Sequence, residues 1–110
     1  MRIYIKPLSV NEAWQGKRFK TKKYKQFEKD MMLLLPPLKI DFKAPLTLQI
    51  TFGFSSSLSD IDNPLKPLLD CLQKKYKFND RDIYEITVKK EVVSRGEDFI
   101  EVGIKKAKLS

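Results

Sequence analysis

The stretch LTLQITFGF, residues 46–54, alternates apolar side chains with polar or small ones without a break. Successive side chains of a β-strand point to opposite faces of the sheet. One face of this stretch would therefore carry only apolar residues, namely Leu46, Leu48, Ile50, Phe52 and Phe54. The pattern predicts a strand with one face on a hydrophobic core.

The segments after this strand predict a helix and two further strands. Leu65, Leu68, Leu69, Leu72 and Tyr76 recur at helical spacing, which predicts a helix over about 64–76 with Pro64 in its first turn. Residues 83–93 and 98–105 have strand composition and are separated by a short turn containing Gly96. We expect these two strands to form an antiparallel hairpin.

The segments before the strand predict one more strand and one more helix. Residues 2–6, RIYIK, alternate as a half-buried strand would. Residues 7–20 show no sustained period and predict an exposed connection, of a length that is often functional. A helix is predicted over about 22–35, capped by Thr21 and ended by Pro36 and Pro37.

The order strand-helix-strand-helix-strand-strand predicts an α+β fold, with helices packed on a four-stranded mixed sheet. A chain of 110 residues has room for one hydrophobic core, so we expect a single domain over residues 1–110.

Composition narrows the possible functions. Lys and Arg number 22 against 14 Asp and Glu, a formal charge of +8, which favours a polyanionic partner such as nucleic acid. The chain has no histidine and only one cysteine, Cys71. An internal disulfide, a thiolate zinc site and an imidazole base are therefore excluded. The longest apolar stretch, MMLLLPPL at 31–38, is too short for a membrane span, so we expect a cytoplasmic protein with no membrane partner.

Two separated acidic segments are candidates for a metal site. Asp60 and Asp62 stand two residues apart before the second long helix, while Asp80 and Asp82 stand just after it. Hard divalent cations prefer carboxylate oxygens, and without histidine Mg²⁺ or Mn²⁺ is the natural choice. The alternatives are structural: Asp62 or Asn63 could cap the helix, and Asp80 and Asp82 could form an Asx turn.

Helix length raises a geometric difficulty for such a site. A helix over about 64–76 moves the chain roughly 20 Å at 1.5 Å per residue. Asp80 could then lie far from Asp60. The chain would have to double back, or the site would have to be assembled from two subunits.

A basic cluster lies near the first predicted long helix. Six positive charges fall within residues 17–25 without an acidic residue among them, and they are Lys17, Arg18, Lys20, Lys22, Lys23 and Lys25. Such a one-signed cluster favours contact with DNA phosphates, and a solvated helix end is the alternative.

The acidic segments and the helix between them resemble a known family. DIDNPLK (60–66), DCL (70–72) and NDRDI (79–83) match in order and spacing the motifs of the RusA-like Holliday junction resolvases, small dimeric endonucleases of bacteria and phages. This chain departs from the family pattern in two places. Asn79 replaces one acid of the usual pair before the strand, so that either Asp80 or Asp82 could be the third ligand, and serines replace basic residues before Asp60.

The resemblance implies a homodimeric, Mg²⁺-dependent endodeoxyribonuclease that cuts four-way DNA junctions symmetrically during recombination and repair. It implies that Asp60, Asp62 and Asp80 are catalytic metal ligands and that Lys66 stabilises charge on the scissile phosphate. Asp70 would have a supporting role. The residues expected to contact DNA or position the acids are Asn11, Lys17, Arg18, Lys20, Lys22, Lys23 and Asn63.

Two other functions fit the same residues. The chain could be a non-catalytic basic module that binds DNA or junctions, with its acids used only in caps and turns. It could also be a protein-interaction domain with an incidental basic face.

Overall fold

A computed structural model of the chain describes residues 1–15 and 19–107. Within these residues the elements are β1 (Arg2–Ile3), α1 (Val10–Ala13), β2 (Trp14–Gln15), β3 (Phe19–Lys20), α2 (Lys22–Leu34), β4 (Leu46–Phe54), α3 (Leu65–Tyr76), a 3-10 helix (Asp80–Asp82), β5 (Ile83–Val92) and β6 (Phe99–Lys106). The α+β fold with a four-stranded mixed sheet is confirmed.

The main sheet has the strand order β1-β6-β4-β5, so β4, the apolar stretch LTLQITFGF, is an inner strand. β5 runs parallel to β4, because α3 returns the chain to the start of β4 before β5 begins. β6 runs antiparallel to β4 on its other side. The predicted antiparallel hairpin between β5 and β6 is therefore wrong, since these two strands do not pair with each other. Placing them on opposite sides of β4 gives this apolar strand a neighbour at each edge.

The hydrophobic core lies between the sheet and the two long helices. α2 contributes Tyr24, Phe27 and Met31, and α3 contributes Leu68 and Leu72, all of them buried. Thr21 caps α2 as predicted, its hydroxyl accepting from the Tyr24 N–H.

The thiol of Cys71 belongs to the same core. Cys71 is fully buried on α3, and this burial raises the pKa of its thiol to about 12. The thiol therefore stays protonated and unreactive at neutral pH.

The segment predicted as an exposed connection is partly structured. Ser9 caps the short helix α1, and β2 pairs with β3 in a two-stranded ribbon. Leu8 and Ala13 are buried, which gives this segment a share of the core. The first strand is also shorter than predicted and ends at Ile3, because the Ile5 N–H bonds to the Ile3 carbonyl and bends the chain away from the sheet.

Close packing at Gly53 provides a stability prediction. Gly53 lies opposite Phe99 on the neighbouring strand, and a Cβ atom at position 53 would overlap the Phe99 ring. The guanidinium of Arg2 lies over the same ring, 3.9 Å from its centroid. Gly53→Ala is therefore expected to lower the free energy of unfolding by about 1–3 kcal/mol, measured by chemical denaturation.

Gly103→Ala is the matched control for Gly53→Ala. Gly103 lies on β6 beside the same strand, and an added Cβ would have no heavy atom closer than 3.9 Å. Its unfolding free energy should be unchanged or slightly higher, because alanine restricts the unfolded chain. Equal losses in both variants would contradict the packing argument.

No helix in the described ranges is both long and apolar enough to span a membrane.

Candidate active site

Asp60 and Asp62 lie in the segment between β4 and α3, at the carboxyl end of β4. Both are exposed. The side-chain amide of Asn63 donates a hydrogen bond of 3.2 Å to Asp60 Oδ2. α3 is preceded by Pro64 at the N-cap and has no side-chain cap, so the helix-capping alternative for Asp62 and Asn63 is wrong. Helix capping therefore engages neither of the two carboxylates.

Backbone contacts hold this acidic segment in place. The Val10 N–H donates to the Asn63 carbonyl at 2.8 Å, which ties α1 to the residues before α3. The ammonium of Lys90, on β5, donates to the carbonyls of Ser57 and Ser59. Asn11 is exposed and follows Val10 directly, so it lies beside the same segment.

Asp60 and Asn63 line an open cavity of about 320 Å³. Two further acids line the same cavity. Asp98 accepts a hydrogen bond from the Ser55 N–H, and Glu12 is paired with Lys23 at 2.8 Å. Glu12 and Asp98 were not predicted, since nothing in their local sequence marks them and only the fold brings them to the cavity.

Asp80 is brought back along α3 by a tight turn. Lys77 ends the helix in the left-handed conformation, with φ of 60°. The Asp80 N–H then donates to Gln73 Oε1 at 3.0 Å. Lys66, in the first turn of α3, has its Nζ 3.8 Å from Asp80 Oδ2 and 3.1 Å from Asp70 Oδ1. The chain therefore doubles back far enough for a lysine near the helix start to reach Asp80.

The carboxylate of Asp70, which pairs with Lys66, is also bound by a buried tyrosine. The Tyr24 hydroxyl donates to Asp70 Oδ2 at 2.9 Å, while Asp70 Oδ1 pairs with Lys66. Burial and the bond to Asp70 raise the pKa of Tyr24 far above its ordinary value. The hydrogen bond to Asp70, with the charges of Asp70 and Asp80, raises the pKa of Lys66 against the opposing effect of desolvation. Lys66 is therefore a fixed positive charge at neutral pH.

Asp80 and Asp82 have different surroundings. Asp82 Oδ2 accepts from the Asn79 N–H at 3.0 Å and so closes the turn before β5. The Asp80 side chain is exposed, and lines a shallow pocket with Leu69, Ile83 and Tyr84. Of the two carboxylates, that of Asp80 is the more available for a ligand.

In the part of the chain that the structure describes, the acids do not assemble into a metal site. Across residues 1–15 and 19–107, no three acidic, cysteine or histidine side chains are close enough together to hold a metal ion. Asp60 and Asp80 line separate cavities. The carboxylate oxygens are of the type that a hard divalent cation binds. Within the described residues of one chain, however, Asp60 and Asp80 do not line a common cavity.

The basic cluster is partly neutralised. Lys17 and Arg18 lie outside the described residues. Lys20 pairs with Glu28 at 2.8 Å, and Lys23 pairs with Glu12. Lys22 is exposed and has no ion pair with any described residue. All charges of the cluster in the sequence are positive. The fold brings acids from outside the cluster to it, namely Glu12 of α1 and Glu28 of α2. Phosphate contact by these lysines stays a prediction.

The Tyr24 hydroxyl provides a second stability prediction. Tyr24→Phe keeps the buried ring but removes the hydroxyl donor to Asp70 Oδ2, so we expect a loss of about 1–3 kcal/mol in unfolding free energy by chemical denaturation. The control is Tyr4→Phe, since Tyr4 is 70% exposed and should change stability by less than about 0.5 kcal/mol. A Tyr24→Phe variant as stable as the parent would show that the bond to Asp70 contributes nothing.

Comparison with known proteins agrees with the arrangement of these motifs. Residues 6–105 match the family described as Endodeoxyribonuclease RusA. No curated protein matches the chain significantly. The matched range covers nearly the whole chain, including both acidic segments and the helix between them. This chain therefore belongs to the endodeoxyribonuclease RusA family.

Proposed function

We propose that this protein is a Mg²⁺-dependent, structure-selective endonuclease that resolves four-way DNA junctions by cutting two strands symmetrically. Membership in an endodeoxyribonuclease family supports a nuclease that acts on branched DNA. The observation that carries the finer proposal is Lys66, a lysine fixed between Asp70 and Asp80 at the start of the helix that follows Asp60 and Asp62. We further propose action in recombination and repair, in the cytoplasm of a bacterial or phage-infected cell.

The proposed roles follow from the contacts. Asp60, Asp62 and Asp80 would hold the cation, which, when bound, supplies Lewis-acid stabilisation of the phosphoryl oxygens and a nucleophile near neutral pH. The Asn63 amide orients Asp60 through their hydrogen bond. Lys66 places a positive charge where negative charge grows on the scissile phosphate.

The remaining proposed contacts concern DNA strands away from the cut. Asn11 and the basic residues around α2, including the exposed Lys22, would bind phosphates and thus position the junction. Because a junction has two strands to cut, two sites related by a two-fold axis are required, and a homodimer supplies them.

A synthetic four-way junction tests this function. Incubation with Mg²⁺ should give paired nicks at symmetric positions, and a linear duplex of the same arm sequence should remain uncut. EDTA should abolish the nicks and leave junction binding intact. A purified, folded protein that binds the junction without cutting it in Mg²⁺ or Mn²⁺ would contradict the proposal.

A second candidate is a non-catalytic junction-binding module. The observation that favours it is the neutralisation of Asp80 by Lys66, together with the separation of Asp60 from Asp80 within one chain. This function predicts tight, salt-dependent binding that divalent metal does not improve, with no nicked product.

A further inference from the structure

Two adjoining cavities form one groove that begins at the acidic segment. The first is the cavity of about 320 Å³ beside Asp60 and Asn63, and the second, of about 360 Å³, lies between the segment after β1 and α2. Lys6, Pro7 and Glu12 line both cavities, so the two share a wall. Each has the size of a small-ligand pocket, about 300–1,000 Å³, which a nucleotide fills and a whole duplex does not enter.

The second cavity combines an apolar lining with cations. Leu8 and Phe27 are buried, Ile5 is half-buried, and all three line the cavity. Lys6 and Lys23 line it as well, and both are exposed. Proteins that bind single-stranded nucleic acid use a positively charged track for the phosphates and apolar, often aromatic, side chains for the bases. The groove provides both kinds of contact.

Backbone contacts fix the wall that the two cavities share. On one side of α1, the Val10 N–H donates to the Asn63 carbonyl at 2.8 Å. On the other side, the Thr21 hydroxyl donates to the Glu12 carbonyl at 2.6 Å, and the Thr21 N–H donates to the Ala13 carbonyl at 3.0 Å. α1 is thus attached to the segment before α3 and to the start of α2. A ligand that enters the groove therefore pays little for ordering this wall.

Glu12 occupies one of the two cations of the groove. Its carboxylate lies 2.8 Å from the Lys23 ammonium, where a phosphate oxygen would otherwise bind. Lys6 has no ion pair with any residue that the structure describes. The other acid of this cavity, Asp30, accepts a hydrogen bond of 2.8 Å from the Gln26 amide. Lys6 is therefore the open phosphate position, and Lys23 becomes one when a phosphate displaces Glu12.

We propose that this groove binds a single unpaired DNA strand, with phosphates on Lys6 and Lys23 and bases against the apolar lining. The bases of a duplex are paired and stacked, so a duplex cannot place them against Leu8 and Phe27 and gains only phosphate contacts. The groove begins beside Asp60, so the bound strand would be the one that carries the scissile phosphate, a step that rests on the proposed function.

Disulfide cross-linking in EDTA tests the occupant. Gln26 is exposed and lines the second cavity, whereas the neighbouring Lys25 is exposed and lines neither cavity. Gln26→Cys should cross-link to a single-stranded oligonucleotide that carries a thiol-tethered base, and to the unpaired arm of a forked DNA. The same oligonucleotide in a duplex should not react. Lys25→Cys is the matched control, and the buried Cys71 should stay unreacted.

Two results of the cross-linking would overturn the groove. One is equal reaction at positions 25 and 26, or none at position 26. The other is reaction of the duplex as efficient as that of the single strand.

Removal of Lys6 tests the phosphate contact. Lys6→Ala should weaken single-strand binding about threefold to tenfold and lower the slope of log affinity against log salt by about 0.7, the loss of one phosphate contact on a single strand. Fluorescence anisotropy in EDTA measures both. Lys39→Ala is the control, because Lys39 is also exposed but lines neither cavity. Equal losses in the two variants would overturn the role of Lys6 in the groove.

Removal of the Glu12 charge tests the competition for Lys23. Glu12→Gln should tighten single-strand binding about threefold to fivefold, because the phosphate no longer has to break an exposed ion pair. Glu101→Gln is the matched control, since the Glu12 and Glu101 side chains are 42% and 43% exposed and pair with cations at 2.8 and 3.1 Å. Glu101 lines neither cavity, so its change should alter affinity less than about twofold. An equal gain at both positions would overturn the competition.

The outcomes separate this inference from the proposed function. All three measurements are made without divalent metal, so none depends on cutting. A protein that cuts the junction but fails the cross-linking test would overturn the groove alone. A protein that cross-links as expected but does not cut would overturn the proposed function and support the groove as a strand-binding site.

Discussion

Asparagine in place of Asp62, or of Asp60, is expected to slow junction cleavage by on the order of 10²–10³-fold, because a metal ligand supplies several kcal/mol of charge stabilisation at the phosphate. Junction affinity should be retained or improved, since a negative charge near the DNA backbone is removed. Both side chains are exposed and neither caps α3, so the fold should be unaffected. Single-turnover cleavage and equilibrium binding, measured on the same junction, separate the two effects.

Asp41→Asn is the control for general loss of negative charge. Asp41 is 59% exposed and its carboxylate lies 3.7 Å from the Lys106 ammonium, remote in sequence from both acidic segments. This variant should cut at about the parental rate. Undiminished cleavage by Asp62→Asn would count against metal binding at the start of α3, and unfolding of the Asp62→Asn variant would instead show a structural role for that carboxylate.

The long elements of the fold could be predicted because their signals are local. Apolar spacing and end signals in the sequence placed α2 at 22–35 and α3 at 64–76, and the observed helices are Lys22–Leu34 and Leu65–Tyr76. Strand β4 was predicted without error in its bounds. In each case the side-chain period and the flanking proline or polar residue are properties of consecutive residues.

The strand order could not be predicted, because it depends on non-local pairing. The link between β5 and β6 is short enough for a hairpin, but it crosses the end of β4. The Val93 N–H bonds to the Phe54 carbonyl, and the Asp98 side chain accepts from the Ser55 N–H. These contacts become possible only after α3 has placed β5 beside β4. The same composition is compatible with either arrangement.

The candidate site, like the fold, could be predicted only in part. Asp60, Asp62 and Asp80 became candidates through their positions in the sequence, and Lys66 became one through the family resemblance. The link from Tyr24 through Asp70 to Lys66 was not predicted. Tyr24 is 46 residues from Asp70 and has the sequence pattern of an ordinary core residue. Its hydroxyl becomes relevant only when α2 packs against α3.

Alanine in place of Lys66 is expected to slow cleavage by about 10²-fold or more, the loss typical of removing one donor that stabilises transition-state charge. Junction affinity should change by less than about threefold, because one exposed lysine is a small part of the phosphate contacts. The raised pKa of Lys66 keeps the ammonium charged at neutral pH, so its charge is lost only by substitution. Single-turnover rates at saturating protein isolate this effect.

Lys74→Ala is a closely matched control for Lys66→Ala. The two lysines lie on the same helix with nearly equal side-chain exposure, 56% for Lys66 and 57% for Lys74, and each pairs with a carboxylate at close range. Lys74 pairs with Glu28, away from Asp80, so its loss should leave the cleavage rate within about twofold of the parent. Equal losses in the two variants would mean that Lys66 contributes only general positive charge. A selective loss at Lys66, with the affinity retained, would instead assign its ammonium to the reacting phosphate, because only there does a fixed charge lower the barrier without changing ground-state binding.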